Sequence, residues 1–252
     1  MTTRLLSIDG LTVKFGGLTA LSNVSIEVHP GEVVGLIGPN GAGKTTLFNS
    51  ICGLAPVTSG SLTLNDLQVD WPKPHELAEL GISRTLQGVG LFPDLTVMEN
   101  VKIGAHKYAH SSLFRSALAL DRKEEKNLEE RSAKALERVY ASSLGQNQAD
   151  ALPYPVQKRV AIARALVNNP RLLLLDEPAG GLGHQDIEWM NSLIKNLKVE
   201  SSILLVEHHM DVVMNVCDRI YVLNFGEIIA HGTPAEVRNN PDVIAAYLGA
   251  DA

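Results

Sequence analysis

Residues 38 to 46 read GPNGAGKTT, a glycine-spaced run that ends in a lysine and two hydroxyl residues. They fit the pattern G-x-x-x-x-G-K-[ST] and lie between an apolar stretch, VVGLI, and a stretch with helical patterning, the context in which that pattern binds phosphate. Gly38, Gly41 and Gly43 let the backbone curl. The N–H groups of the loop, from Asn40 through Ala42 to Thr46, then face phosphate oxygens, with Pro39 contributing backbone shape but no donor, and the start of the following helix adds positive potential. Lys44 is expected to reach the β- and γ-phosphates and the Thr45 hydroxyl to ligate Mg²⁺. A second stretch, LLLLDEP, ends a short apolar run with Asp176 and Glu177. Asp176 can hold Mg²⁺ through water, and Glu177 can orient or deprotonate an attacking water. Either stretch alone is compatible with an ordinary turn. Together they supply the parts of a nucleotide triphosphate hydrolysis site.

Such parts need a scaffold that delivers them to one place. Residues 5 to 37 alternate and cluster β-branched and apolar residues between glycines, so the chain begins in sheet. GKTTLFNSICGL then turns helical, and RLLLLDEP, SSILLVEHH and DRIYVLNFGE each offer a short apolar strand. Buried strands separated by helices predict an α/β fold with a mostly parallel sheet, preceded by an antiparallel β region. The middle differs. DRKEEKNLEERSAKALERVY is strongly charged and spaces Leu128, Ala135, Leu136 and Val139 as one helical face. The expected organisation is one nucleotide-binding domain over residues 1–252. Its α/β core would comprise residues 1–87 and 166–252, and residues 88–165 would form an inserted helical subdomain.

Composition removes several alternatives. With 252 residues and 45% hydrophobic side chains, the chain is long enough for one large core. A net charge of −6 argues against binding nucleic acid by bulk phosphate neutralisation. The two cysteines, Cys52 and Cys217, are far apart, and the N-terminus lacks the charged-then-apolar form of a secretion signal, which suits a reducing cytoplasm. Apolar runs are much shorter than the roughly 18 residues that span a bilayer. Any membrane association is expected to come through a partner.

The order of phosphate loop, SRTLQ, LPYPVQKRVAIARAL, RLLLLDEPAGGL and LLVEHHMD resembles the ATP-binding subunits of ABC transporters over nearly the whole chain. Within them, FGGLTAL, TTLFNSICGL, LFPDLTVMENV and GTPAEVRNNPDVIAAYLG are most similar to the ATPases of branched-chain amino acid importers and of related urea or amide importers. The resemblance implies ATP and Mg²⁺ as cofactors, integral-membrane permease subunits as partners, and a peripheral place on the cytoplasmic face of the membrane. It implies that Phe15 stacks on adenine, that Gln87 bridges Mg²⁺, water and the permease, and that His208 contacts the γ-phosphate. An imidazole N–H suits such a developing anion. His209 stands where the family often has Asp and is given no chemistry.

One departure from the family carries a consequence. The segment corresponding to the family's L-S-G-G-Q signature is Leu152, Pro153, Tyr154, Pro155 and Val156, ahead of a helix that reads from Val156 with Val160, Ala163 and Leu166 on one face. In this family the signature of one subunit closes over the γ-phosphate held by the other, through backbone N–H groups and a hydroxyl. Proline has no N–H, and the serine hydroxyl is gone, which leaves mainly the helix dipole. A charge-assisted hydrogen bond contributes about 1.5–3 kcal/mol and the dipole typically below about 1 kcal/mol, so the dipole does not compensate. Proline is also a common first residue of helices, which explains why the helix survives but restores no donor. Gly183, in AGGLG, stands where the family often has Asp or Asn at the dimer interface. The expectation is therefore a pair with a different ATPase subunit that carries an intact signature. A soluble regulatory or nucleic-acid-associated ATPase of the same superfamily is the alternative. A single core, no basic arm and the importer-like tail weigh against it. A simple phosphotransferase would have no reason to carry Gln87 and His208 in these positions.

Overall fold

The computed structural model describes residues 3–86, 88–105 and 122–248. Two sheets organise them. Strands β1 (Leu6–Phe15), β2 (Leu18–Val28), β4 (Ser59–Leu64) and β5 (Leu67–Val69) form an antiparallel sheet in the order β2-β1-β4-β5. The second sheet has the order β10-β9-β3-β8-β7-β6, formed by β3 (Val33–Ile37), β6 (Ile82–Arg84), β7 (Leu172–Asp176), β8 (Ser202–Val206), β9 (Arg219–Asn224) and β10 (Glu227–Gly232). Its pairings are parallel except at the β10 edge, which returns from β9 antiparallel.

Every residue of β3, β7 and β8 is buried. This is why those strands read as continuous apolar runs: both faces of a parallel sheet are covered, so no alternate position is free to be polar. One face packs with the antiparallel sheet and with α1 (Lys44–Ile51), where Phe48, Leu47 and Ile51 are wholly buried. The other packs against α5 (His184–Leu197) and α6 (Met210–Val216), and the same continuous core reaches α2 (Val97–Gly104), α3 (Arg122–Arg138) and α4 (Tyr154–Leu166). Short helices α7 (Pro234–Arg238) and α8 (Pro241–Leu248) follow β10.

The charged middle segment forms α3, and its expected face is inside: Ala135, Leu136 and Val139 are buried, with Leu128 packed partly against them. Thr96 caps α2, accepting from the Glu99 N–H while the Glu99 carboxylate accepts from the Thr96 N–H. Helix α4 begins at Tyr154, two residues earlier than the sequence pattern places it, with Pro155 at its second position. The first turn of a helix has no internal partner for its N–H groups, so a proline there sacrifices no helical bond. Both cysteines are buried and form no disulfide.

Candidate functional site

The register of the parallel sheet assembles the site. Asp176 at the end of β7 pairs with Val206 at the end of β8, and Leu36 of β3 pairs with the same Val206. The next residues on each strand therefore leave the sheet side by side: the loop from Gly38, the turn at Glu177, and Glu207 with His208. Loops beyond the carboxyl ends of adjacent parallel strands are where α/β sheets bind ligands.

In the phosphate loop, Gly38, Gly41 and Gly43 all have positive φ. A side chain at Gly38 would put its Cβ 2.0 Å from the Leu223 carbonyl oxygen, so only glycine allows the loop to lie this close to β9. Helix α1 starts directly after Gly43, with no side-chain cap and no acidic residue in its first turn. Its first N–H groups and its dipole are thus available to an anion. Lys44 Nζ donates to the carbonyls of Gly38 (2.7 Å) and Pro39 (2.9 Å), which folds the loop around the ammonium. Burial lowers the Lys44 pKa below its ordinary value, and the Glu177 carboxylate opposes that shift. The lysine and the glutamate therefore feel each other's charge. A glycine cradle, an uncapped helix start and a lysine turned into the loop fit a polyphosphate.

Asp176 is buried at the strand end and is paired there. Its Oδ2 accepts from Arg84 Nη2 at 2.7 Å, and Arg84 Nη1 donates to Asn49 Oδ1 on α1 at 2.7 Å. The guanidinium lies over the Phe48 ring, 5.6 Å from its centre. An unpaired buried carboxylate would cost about 3–5 kcal/mol relative to the pair, so Arg84 keeps Asp176 tolerable inside the protein. It also ties β7 to the helix that carries Thr45. The donors that Thr45 and Asp176 offer are a hydroxyl and a carboxylate, hard oxygens of the kind Mg²⁺ takes.

Glu177 has φ +48°, a left-handed conformation unusual for a residue with a side chain. His208 lies half-exposed beside it, with Nδ1 3.8 Å from Glu177 Oε1. Both are organised by a residue that sequence reasoning passed over, the fully buried Glu207. Its Oε1 accepts from the Ala179 N–H at 2.7 Å, and its Oε2 accepts from the N–H groups of His208 (2.9 Å) and His209 (3.1 Å). His209 Nδ1 is also 3.1 Å from Oε2, so the unexpected histidine belongs to this cluster. A charge closing the apolar run SSILLVE was the available signal.

The remaining expected residues are more dispersed. Phe15 ends β1 with 46% of its surface exposed and belongs to neither buried core. Gln87 lies outside the described residues. Leu152 to Val156 lead into α4, where Pro153 is the cap and contributes no side-chain bond. The N–H groups of Val156 and Gln157 both turn back to the Pro153 carbonyl, at 2.9 and 3.0 Å. With prolines at 153 and 155, the backbone of this segment has few N–H groups left to offer outward.

The profile of the ABC transporter family matches residues 21–180, and that of the branched-chain amino acid ATP-binding cassette transporters matches residues 227–252. The high-affinity branched-chain amino acid transport ATP-binding protein LivG of Escherichia coli (strain K12) is 43% identical over 253 residues, covering 99% of each chain. A solved ATP-binding cassette of an ABC transporter in its ADP conformation superposes with a TM-score of 0.84 at 33% identity, over 98% of this chain and 99% of that one. A dimeric ATP-binding cassette in a post-hydrolysis state with ADP and Pi has a TM-score of 0.75 at 27% identity, over 91% of this chain and 98% of that one.

Proposed function

This chain belongs to the ABC transporter family as an ATP-binding subunit, and from that premise we propose that it energises an importer of branched-chain amino acids or related small polar or amide solutes. The observation that carries the reading is the shared register of β3, β7 and β8, which brings the phosphate loop, Asp176, Glu177 and His208 to one end of the sheet. Full-length similarity to LivG supports the solute class.

In this reading Lys44 and the loop N–H groups from Gly38 to Thr46 hold the phosphates of ATP, and Phe15 stacks on the adenine. Thr45, Gln87 and, through water, Asp176 hold Mg²⁺, which supplies charge neutralisation at the transferring phosphoryl group. Glu177 orients and deprotonates water, while His208 aims an imidazole N–H at the γ-phosphate position. Residues 1–87 and 166–252 act as the catalytic core. Residues 88–165 act as the helical subdomain that carries the signature, and residues 106–121 of it lie outside the described residues.

A groove of about 380 Å³ lies between the core and α2, lined in part by Leu86, the neighbour of Gln87. Leu54, Leu86, Phe92 and Ile103 line it, each between 44% and 59% exposed, with Arg164 among them. Exposed apolar side chains that converge on a concave face suit a short helix from an integral-membrane partner. In this reading that partner holds the subunit on the cytoplasmic face; among the described residues no helix is long and apolar enough to cross a membrane. Because Pro155 removes an N–H and Val156 a polar side chain from the signature, the second ATPase of the pair is a different chain with an intact signature.

Purification from membranes followed by mass spectrometry tests the assignment. It should recover permease subunits and a second ATPase, and Leu86→Glu with Phe92→Glu should release them. Recovery of the chain with nucleic acid and without membrane subunits would favour the regulatory alternative. The adenine contact has its own test. Phe15→Ala should weaken ATP binding by about 5- to 150-fold, the range for loss of a base–aromatic stack, while Phe15→Tyr and Phe15→Trp keep the ring face and most of the affinity. Equal affinities in all three variants would remove Phe15 from the site.

A further inference from the structure

Glu177 sits in a backbone conformation that its surroundings must impose, and one of the groups that imposes it comes from the signature helix. The Glu177 N–H donates to the Val206 carbonyl at 2.9 Å, and its own carbonyl accepts from the Gly180 N–H at 3.1 Å. The same carbonyl accepts from Lys158 Nζ at 2.8 Å. Lys158 lies on α4, is only 4% exposed, and its buried ammonium donates to this backbone oxygen. One turn earlier on the same helix, Tyr154 covers the other end of the turn. A Cβ at Gly181, where φ is +77°, would lie 3.0 Å from the Tyr154 ring, and the Lys158 ammonium lies 5.5 Å from the centre of that ring. Residues four apart share a helix face, so the two side chains act on the turn together.

We propose that Tyr154 and Lys158 are positioning residues that clamp the turn from Glu177 to Gly181 to the signature helix, so that the placement of the signature sets the placement of this chain's own Glu177. The inference rests on the reading of Glu177 as the hydrolytic carboxylate. The opposite side of the same turn is held by Glu207, whose carboxylate accepts from Ala179 and from His208. A continuous path therefore runs from α4 through Lys158, the Glu177 carbonyl, Ala179 and Glu207 to His208. Burial lowers the Lys158 pKa, and the charges of Glu207, Glu177 and Asp176 oppose that shift, so the ammonium is electrostatically part of the site. In a two-subunit ATPase the residues just before Lys158 meet the nucleotide of the partner. The clamp then carries the state of that nucleotide to this chain's carboxylate, a route that does not need a polar residue at Gly183.

Lys158→Met keeps most of the length of the side chain and removes the donor, whereas Lys158→Gln keeps a donor without the charge. Hydrogen exchange of the nucleotide-free chain over residues 176–183, fluorescent-nucleotide affinity, and hydrolysis in the assembled complex are measured for both. Lys158→Met should lower kcat by about 10- to 100-fold, leave ATP affinity within about twofold, and speed exchange of the Gly180 amide about tenfold, the scale of one hydrogen bond from a charged donor. Lys158→Gln should recover much of both effects. Unchanged exchange and kcat in Lys158→Met, or a Lys158→Gln variant no better than Lys158→Met, would overturn the clamp. Glu177→Gln is measured beside them: if it keeps turnover, the catalytic assignment fails, and the clamp stands or falls on the exchange data alone.

Discussion

Glu177→Gln should lose hydrolysis in the assembled complex by about 100- to 10,000-fold, the range associated with a positioned general base, while MgATP affinity stays near that of the unaltered chain. The amide has the shape of the carboxylate but cannot take a proton. The geometry keeps the two functions apart, because the hydrogen bonds that shape the phosphate loop, among them Lys44 to Gly38 and Pro39 and the Gly226 N–H to the Ala42 carbonyl, do not involve Glu177. Glu177 influences Lys44 only through charge. Lys44→Ala is the opposite case and should impair nucleotide binding itself. Nucleotide affinity and turnover measured separately decide the matter: normal turnover in Glu177→Gln would refute its role.

The second large effect is expected at the signature. Pro155→Gly with Val156→Gln returns an N–H to the second position of α4 and a polar side chain to the third. The new N–H lies in the first helical turn, where no carbonyl of the helix claims it, so it is free to meet a phosphate oxygen. Loss of one preorganised donor to a transition state costs roughly 100- to 1,000-fold in rate, and its return should recover up to about 100-fold at the partner-held nucleotide. Glu177→Gln in the same chain silences the other site, so that the residual rate reports the slow one. A residual rate unchanged by the double substitution would mean that the prolines do not limit hydrolysis there.

How much of this was legible in sequence differs from part to part. The phosphate loop and Asp176–Glu177 could be read because each is a local pattern, a glycine spacing and an apolar strand with acidic residues at its exit. The face of α3 could be read for the same reason, since Ala135, Leu136 and Val139 repeat at helical spacing within one element. The order of the parallel strands could not, because nothing local in β3 says that β8 and β9 are its neighbours. Arg84, Lys158 and Glu207, the last marked in sequence only as the charge closing an apolar run, could not be assigned partners for a related reason. Each acts on a group 92, 19 or 28 positions away, and as isolated charges they look like solvated surface. Burial alone reveals them: a charged side chain inside a core stays there only with a partner. The start of α4 was misjudged because Pro155 marks the first turn of a helix without marking its first residue.

The degenerate signature gives the account its most exposed consequence, two unequal nucleotide sites in one transporter. In the proposed pair the fast site would combine the loop from Gly38 to Thr45, Glu177 and His208 of this chain with the intact signature of the other ATPase. The slow site would combine the nucleotide of that other ATPase with Leu152 to Val156 of this chain. The most direct measurement is transport by the reconstituted mixed complex with Glu177→Gln in this chain, compared with the matching glutamate change in the second ATPase. The first change should abolish transport and the second only slow it. Equal losses from the two changes, or full transport by a complex built with two copies of this chain, would contradict it.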